Sequence, residues 1–316
     1  MKSAKFQPSP DYTYKSGIAV QPLGHFRLHS INNQLNKKEI VSNIIGIDHE
    51  RGVINEDASS FQPFFSIIIA SLNNYEELQK CVASINVQNY TSYEVLISDG
   101  GSIDSTSQFL LPKFIRNLSW SKSDPDDGIY HALNFALLEA KGQWILVLGS
   151  DDNLSDADAL SRAFVFINRY VGKSNLFYAD LFIRDLQGIR LKKYPEFEKF
   201  CNQFSGAPFI HHQSAFISRE AINHCGLFDT KYRINSDYDL MLRVIKDIPP
   251  VKVNDAFVVF NTTGYSSQLK NIIQSVSEVC AIRKKFGFRP FNLRLGFIYL
   301  LQIVRTVIVK FIFRKI

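Results

Sequence analysis

The side chains best suited to chemistry sit in four short polar clusters, each following an apolar run or a turn. The most suggestive is Gly149-Ser150-Asp151-Asp152-Asn153, directly behind the apolar run Trp144-Ile145-Leu146-Val147-Leu148. Two adjacent carboxylates at such a point suit a hard divalent cation. Mg²⁺ and Mn²⁺ take one or two protein carboxylates and fill their remaining positions with phosphate and water. An ion held there would neutralise a diphosphate leaving group. On its own, an Asp-Asp pair reads more plainly as a turn capping the helix expected to begin near Asp156. A second cluster, Ser98-Asp99-Gly100-Gly101-Ser102-Ile103-Asp104-Ser105-Thr106, ends another apolar run with an aspartate and two glycines. Glycine lets the backbone approach a ligand closely, so Asp99 could accept hydrogen bonds from the base or ribose of a nucleotide. It could equally close an Asx turn, with Ser102 or Asp104 capping the next helix.

The remaining clusters are Ala70-Ser71-Leu72-Asn73-Asn74 and Ser123-Asp124-Pro125-Asp126-Asp127-Gly128-Ile129-Tyr130, the latter closed by Asn134. The elements that must position them follow a regular order. Phe65-Ser66-Ile67-Ile68-Ile69-Ala70 is a short run of the kind buried on both faces of a sheet. From about Tyr75 to Gln88, Leu78, Cys81, Val82 and Ile85 recur at helical spacing. Tyr93 to Ser98 predicts a second strand, a helix is expected from about Ser105, then a polar segment, a helix near Gly128 to Ala140, and the strand Trp144 to Leu148. This alternation predicts a mostly parallel α/β sheet covered by helices on both faces. Such sheets bind ligands beyond the carboxyl ends of their strands. Further on, a helix near Asp158 to Tyr170, a hairpin around Gln187-Gly188, a helix near Asp237 to Lys246 and a strand near Val251 to Phe260 are expected.

Bulk properties narrow the class. The chain has 316 residues, 46% of them hydrophobic, and a formal charge of +6. That suits one large domain with extensions. In the central part of the chain, no basic patch interleaved with aromatics and no known reading motif marks a nucleic-acid binder. Cys81, Cys201, Cys225 and Cys280 form no CxxC pair and fit no zinc spacing, so reduced, mostly buried thiols of a cytosolic protein are expected. Residues 1–62 carry no sustained periodicity and no signal-peptide apolar core, and read as an irregular N-terminal extension. Residues 266–316 read as a C-terminal helical segment. From Arg289 onward it has six basic and no acidic residues, and Phe297, Leu300, Leu301, Val304, Val307, Ile308 and Phe311 form one helical stripe. The uncharged stretch between Arg294 and Arg305 is shorter than the roughly 20 apolar residues that span a bilayer. A helix lying on a membrane surface is the expectation for 290–316, with packing on the protein's own core the alternative.

Taken in order, the four clusters resemble family-2 glycosyltransferases of the GT-A fold, closest to the subgroup that builds bacterial surface polysaccharides. The resemblance rests on SDGGSIDST, SDPDDGIYHALN and LGSDD, followed by His212-Gln213-Ser214 and the stretch Ser236-Asp237-Tyr238-Asp239-Leu240-Met241-Leu242-Arg243. It covers about Pro63 to Gly264, placing the GT-A domain at 63–265. It implies an inverting transfer of a sugar from a nucleotide-diphosphate donor to a glycan or lipid-linked acceptor, with Mg²⁺ or Mn²⁺. It also implies the site roles. Asp99 would contact the nucleobase with Ser71 nearby, and Asp126 and Gly128 would line the donor site. Asp152, with Asp151, would hold the metal. Asp237 would be the general base, with Asp239 its rival, and His212 and Gln213 would lie on the acceptor side. The implied location is cytoplasmic, peripheral on the inner face of the membrane. Three positions depart from the pattern. Asp127 stands where Lys is common, His131 where Asp is common, and Gly149 where Asn is usual. A nucleotidyltransferase on a related sheet would want a basic loop after the first strand, which Ala70–Asn74 lacks. An inactive assembly partner would be expected to lack carboxylates that this chain retains.

Overall fold

The structure is a computed structural model that describes residues 62–185, 187–203, 209–262 and 269–290, together with Gly296 and Tyr299. The expectations for the N-terminal extension and for a membrane-lying helix over 290–316 fall almost wholly outside these residues. Among the described residues, no helix is long and apolar enough to cross a membrane. No disulfide joins the four cysteines; Cys81 is buried and the other three are half-buried.

The first strand, β1 (Phe65–Ser71), is followed by α1 (Tyr75–Asn86), β2 (Tyr93–Asp99), the single turn α2 (Thr106–Phe109), β3 (Leu118–Ser123), α3 (Ile129–Glu139) and β4 (Trp144–Gly149). β1 lies at the centre, paired in parallel with β2 on one side and β4 on the other. Ile67, Ile68 and Ile69 are fully buried, as a strand covered on both faces requires. α1 buries Leu78, Cys81, Val82 and Ile85, the stripe its spacing predicts.

Two local departures have physical causes. α2 stops after one turn because Pro112 follows Leu110 and Leu111. A residue before proline is pushed out of the helical region. The polar segment after it contains β3, a strand paired in parallel with β2 at the sheet's edge. Its residues are mostly half-exposed or exposed, so it has no apolar run to reveal it.

The second half adds β5 (Asn153–Leu154), α4 (Ala159–Arg169), β6 (Leu176–Asp185), β7 (Gly188–Lys192), α5 (Phe197–Gln203), a 3₁₀ turn at His212–Ser214, β8 (Ala215–Ser218), α6 (Arg219–Cys225), α7 (Ser236–Val244), β9 (Val251–Asn261) and α8 (Leu269–Lys285). The sheet runs β3-β2-β1-β4-β8-β6-β9-β5, with β7 beside β6. From β3 to β4 it is parallel. Beyond β4 it is mixed, because β8 runs antiparallel to both β4 and β6, while β6 and β9 are parallel to each other. β1, β2, β4, β6 and β9 therefore all point their carboxyl ends the same way.

Register then brings separated clusters to one level. Ser71 pairs with Asp99, Asp99 with Ser123, and Ala70 with Gly149. At the far end of the sheet, Arg184 pairs with Asn261.

Candidate functional site

The loops after β1, β2 and β4 are fastened to one another. The Ser102 hydroxyl accepts the Asn73 amide at 2.7 Å, and Asn73 Oδ1 accepts the Ile103 amide at 2.9 Å. Asp104 accepts the Tyr75 amide at 3.1 Å and the Thr106 amide at 2.9 Å. Asn74 Nδ2 donates to Ser150 Oγ at 2.9 Å. Asp99 is fully buried. It accepts the Ser102 amide at 3.0 Å, the Ser102 hydroxyl, and the Ser123 hydroxyl at 2.6 Å. Asp99 thus ties its own turn, to the amide three residues on rather than the two of an Asx turn, and β3 supplies a further donor. Gly101 carries φ +81°, and a Cβ there would stand 2.9 Å from the Pro125 nitrogen. This close approach brings the third cluster over the second. An added Cβ on Gly100 would lie 3.0 Å from Asp126 Oδ2, so Asp126 stands over the glycine turn while its Oδ1 accepts the Gly128 amide at 2.8 Å. Ser71 Oγ is buried and, among the described residues, has no hydrogen-bond partner. A buried hydroxyl without a partner calls for an explanation, and this one stands at the carboxyl end of β1.

Asp151 and Asp152 come together over Gly149. A Cβ at position 149 would sit 2.7 Å from Asp152 Oδ2 and 2.8 Å from Asp151 Oδ1. The departure from Asn at this position therefore has a consequence: the absence of a side chain lets both carboxylates fold over the backbone. Asp152 is fully buried and accepts the Gly149 and Asn261 amides, each at 2.9 Å. Burial, then the Asp151 charge, pushes its pKa up to about 7, although both amides and the His212 charge pull the other way. Asp151 is raised as well, first by burial and then by Glu77, against the pull of Arg184. Two crowded carboxylates with raised pKa values are what a divalent cation relieves. Among the described residues no three His, Cys, Asp or Glu side chains surround one point. The donor set thus fits the mode in which one or two carboxylates share the ion with phosphate.

The Asp152 shift has a consequence for stability. A carboxyl whose folded pKa lies above its ordinary value of 3.8 binds its proton more tightly in the folded state. Its contribution is complete below about pH 3.8 and is lost as pH rises to about 7, an effect on the order of 4 kcal/mol at full size. In chelator, urea unfolding of the wild type minus that of Asp152→Asn should therefore show stability falling from pH 4 to 7. A flat difference would mean that Asp152 titrates normally.

Asp237 begins a second group. It lies in the first turn of α7, nearly buried, with Oδ2 at 2.7 Å from His212 Nδ1 and Oδ1 at 3.0 Å from the Tyr130 hydroxyl. The Tyr130 hydroxyl also lies 2.7 Å from the Ile234 carbonyl. Burial, reinforced by the Asp237 charge, holds the Tyr130 phenol well above its ordinary range, so it remains a donor. Asp239, the rival, is fully buried and occupied: Arg243 Nε donates to Oδ2 at 2.9 Å and Lys285 Nζ to Oδ1 at 2.6 Å. The two aspartates are two residues apart on a helix and face different partners. Gln213 is buried in the 3₁₀ turn beside His212. Next to it, burial keeps His211 neutral, followed by the charges of Lys192 and His212.

Sequence reading gave no role to Tyr130, Arg184 or Asn261. Tyr130 stood inside the third cluster, so its type and place were visible. Arg184 stood unremarked late in a strand, and its charge reaches Asp151. Asn261 acts through its backbone amide and leaves no side-chain signal. Asn134, which closes the third cluster, instead makes two hydrogen bonds to the Phe228 backbone at 2.9 and 3.0 Å, bracing the loop before α7. Asp127 and His131, two departures from the family pattern, face each other at 3.8 Å on the exposed start of α3.

A sheet with polar loops after its parallel strands, a carboxylate pair behind β4 and an aspartate–histidine couple follow one another in the order seen in GT-A glycosyltransferases. Comparison with known proteins agrees. The family model "Glycosyl transferase family 2" matches residues 66–226, and the chain belongs to that family. A "PGL/p-HBAD biosynthesis glycosyltransferase" of Mycobacterium bovis is 30% identical over 257 residues, covering 77% of this chain and 90% of the relative. The fold is shared with S. aureus TarS 1-349 in complex with UDP, at TM-score 0.54 and 16% identity, covering 77% of this chain and 70% of that one. It is shared too with a mannosyltransferase of Pyrobaculum calidifontis in complex with GDP-Man and Mn²⁺, at TM-score 0.53 and 19% identity, covering 71% and 64%. Asp237 lies beyond the matched stretch of the family model.

Proposed function

We propose that the chain is an inverting, metal-dependent glycosyltransferase moving a sugar from a nucleotide-diphosphate donor to a glycan or lipid-linked acceptor in surface polysaccharide or glycolipid synthesis. The observation that carries this reading is the Asp151–Asp152 pair folded over Gly149, with His212, the partner of Asp237, acting by its charge on Asp152. Asp99 and the unsatisfied Ser71 hydroxyl would hold the base and ribose, while Asp126 and the Gly128 turn would flank the sugar. Asp152, with Asp151, would hold Mg²⁺ or Mn²⁺, which when bound supplies charge neutralisation for the leaving diphosphate. Arg184 brings a cation to the same edge, where its charge already acts on Asp151.

Asp237 would take the proton of the acceptor hydroxyl as its oxygen attacks the anomeric carbon from the face opposite the leaving group, inverting that centre. His212 and Tyr130 orient its two oxygens, each of which keeps a lone pair for the incoming hydroxyl. The basic, apolar-rich sequence of 290–316, almost wholly outside the described residues, is the reason for favouring a lipid-linked acceptor at the cytoplasmic face of a membrane.

The test is thermal unfolding with UDP, GDP, dTDP and CMP, each with Mn²⁺ and with chelator. A nucleotide at 100 times its dissociation constant adds ~2.7 kcal/mol, a shift of a few degrees for a domain this size. One nucleotide is expected to give that shift and to lose it under chelation. No shift with any of them would overturn the donor-site reading.

A further inference from the structure

We infer that helix α8 positions the proton-accepting Asp237 through Glu278, which makes Glu278 a positioning residue for the transfer step; the inference rests on the reading of Asp237 as the base. Glu278 is nearly buried on α8, and its carboxylate gathers three successive backbone amides: Arg233 on Oε1 at 2.9 Å, Ile234 on Oε2 at 2.9 Å and Asn235 on Oε2 at 3.0 Å. Gln274, one turn earlier, braces Oε1 from its amide at 2.9 Å. Amide bonds to a charged acceptor are among the stronger hydrogen bonds in a fold.

These three residues lead directly into α7. Asn235 precedes its first turn but makes no capping bond. Its side chain instead donates to Ser275 of α8, at 3.2 Å to the carbonyl and 3.0 Å to the hydroxyl. The middle residue, Ile234, offers its carbonyl to the same Tyr130 hydroxyl that lies 3.0 Å from Asp237 Oδ1. One carboxylate therefore sets the backbone on which both Asp237 and its Tyr130 contact depend. Neither α7 nor α8 lies within the matched stretch of the family model. The same two helices are joined again further along by Lys285 and Asp239 at 2.6 Å, away from the base. That second contact supplies a control.

Because a displacement of about 1 Å in a reacting group can cost on the order of 10²-fold in rate, a slackened run-in to α7 should appear in turnover before it appears in binding. In full-length Glu278→Gln the side chain keeps its shape, but one oxygen becomes an NH₂ group that cannot accept an amide. Hydrogen exchange of the Arg233, Ile234 and Asn235 amides should quicken at least ~10-fold, with sheet amides unchanged. Lys285→Met should leave those three amides as in the wild type. Glu278→Asp, which keeps the charge but shortens the reach, should fall between. Release of nucleoside diphosphate from UDP-GlcNAc or GDP-mannose should lose ~10–100-fold in kcat in Glu278→Gln and less than ~2-fold in Lys285→Met, with donor KM and the Mn²⁺-nucleotide thermal shift unchanged in both. Unaltered exchange at 233–235 overturns the inference, and so does an equal kcat loss in the two variants at equal Tm. Failure of the base assignment would look different: Asp237→Asn would retain turnover while the exchange result stood.

Discussion

Asp237→Asn is expected to keep metal-dependent nucleotide binding while lowering sugar transfer by ~10²–10⁴-fold, the usual contribution of a positioned general base. The amide preserves the volume of the carboxylate and can still meet Tyr130 and His212, so the fold should tolerate it. It cannot take a proton. The matching substitution at Asp239 should behave differently. Asp239 is fully buried and bonded to Arg243 and Lys285. Losing the buried carboxylate charge leaves Arg243 Nε and Lys285 Nζ facing a neutral amide, so Asp239→Asn should lower the melting temperature and show lost transfer mainly as lost folded protein. Transfer from the nucleotide sugar that gives a thermal shift, into a membrane fraction carrying the acceptor, would be measured beside unfolding for both variants. Substantial transfer by Asp237→Asn would move the proton-accepting role to another group.

The second large effect is expected at the carboxylate pair. Asp152→Ala should abolish the Mn²⁺-dependent part of nucleotide binding, and Gly149→Ala should approach the same result without touching a carboxylate. An added methyl at 149 would lie 2.7 Å from Asp152 Oδ2 and 2.8 Å from Asp151 Oδ1, closer than real Cβ atoms come to a neighbour. The carboxylates must move apart, because Asp152 is held on both oxygens by backbone amides and has little room to yield. Titration calorimetry with the responding nucleotide, with and without Mn²⁺, reads this directly. Wild-type affinity in Gly149→Ala would show that the pair adapts and that the glycine is incidental. Since proton and metal compete for Asp152, the Mn²⁺ increment should also grow between pH 5 and 7.5, mirroring the metal-free loss of stability over that range.

Several features were legible before any coordinate. β1, β2 and β4 are apolar runs long enough to be buried strands, and each is followed by polar residues that no core could hold. The parallel arrangement and the ligand edge follow from that alternation. The order of the motifs pointed to the family, whose model matches residues 66–226. The edge strand β3 was invisible because an exposed strand has no need of an apolar run. The length of α2 was decided by one proline.

What tertiary structure decided was partnership. Sequence spacing left Asp237 and Asp239 as rivals, since both occupy the first turn of one helix. Only packing shows that Arg243 and Lys285 take one of them, while His212 and Tyr130 meet the other. Asp99 was read as either ligand contact or turn former, and its place beside β3 adds the Ser123 hydroxyl to the turn. Arg184, Asn261 and Glu278 act from positions 33 to 109 residues away from the carboxylates they serve or support. Arg184 acts through its charge, Asn261 through a backbone amide and Glu278 through the backbone of another segment. A charge or an amide carries no periodicity and no motif. Its effect depends on distance across the sheet, and distance is set by strand order and register, which residue types constrain only through the fold as a whole.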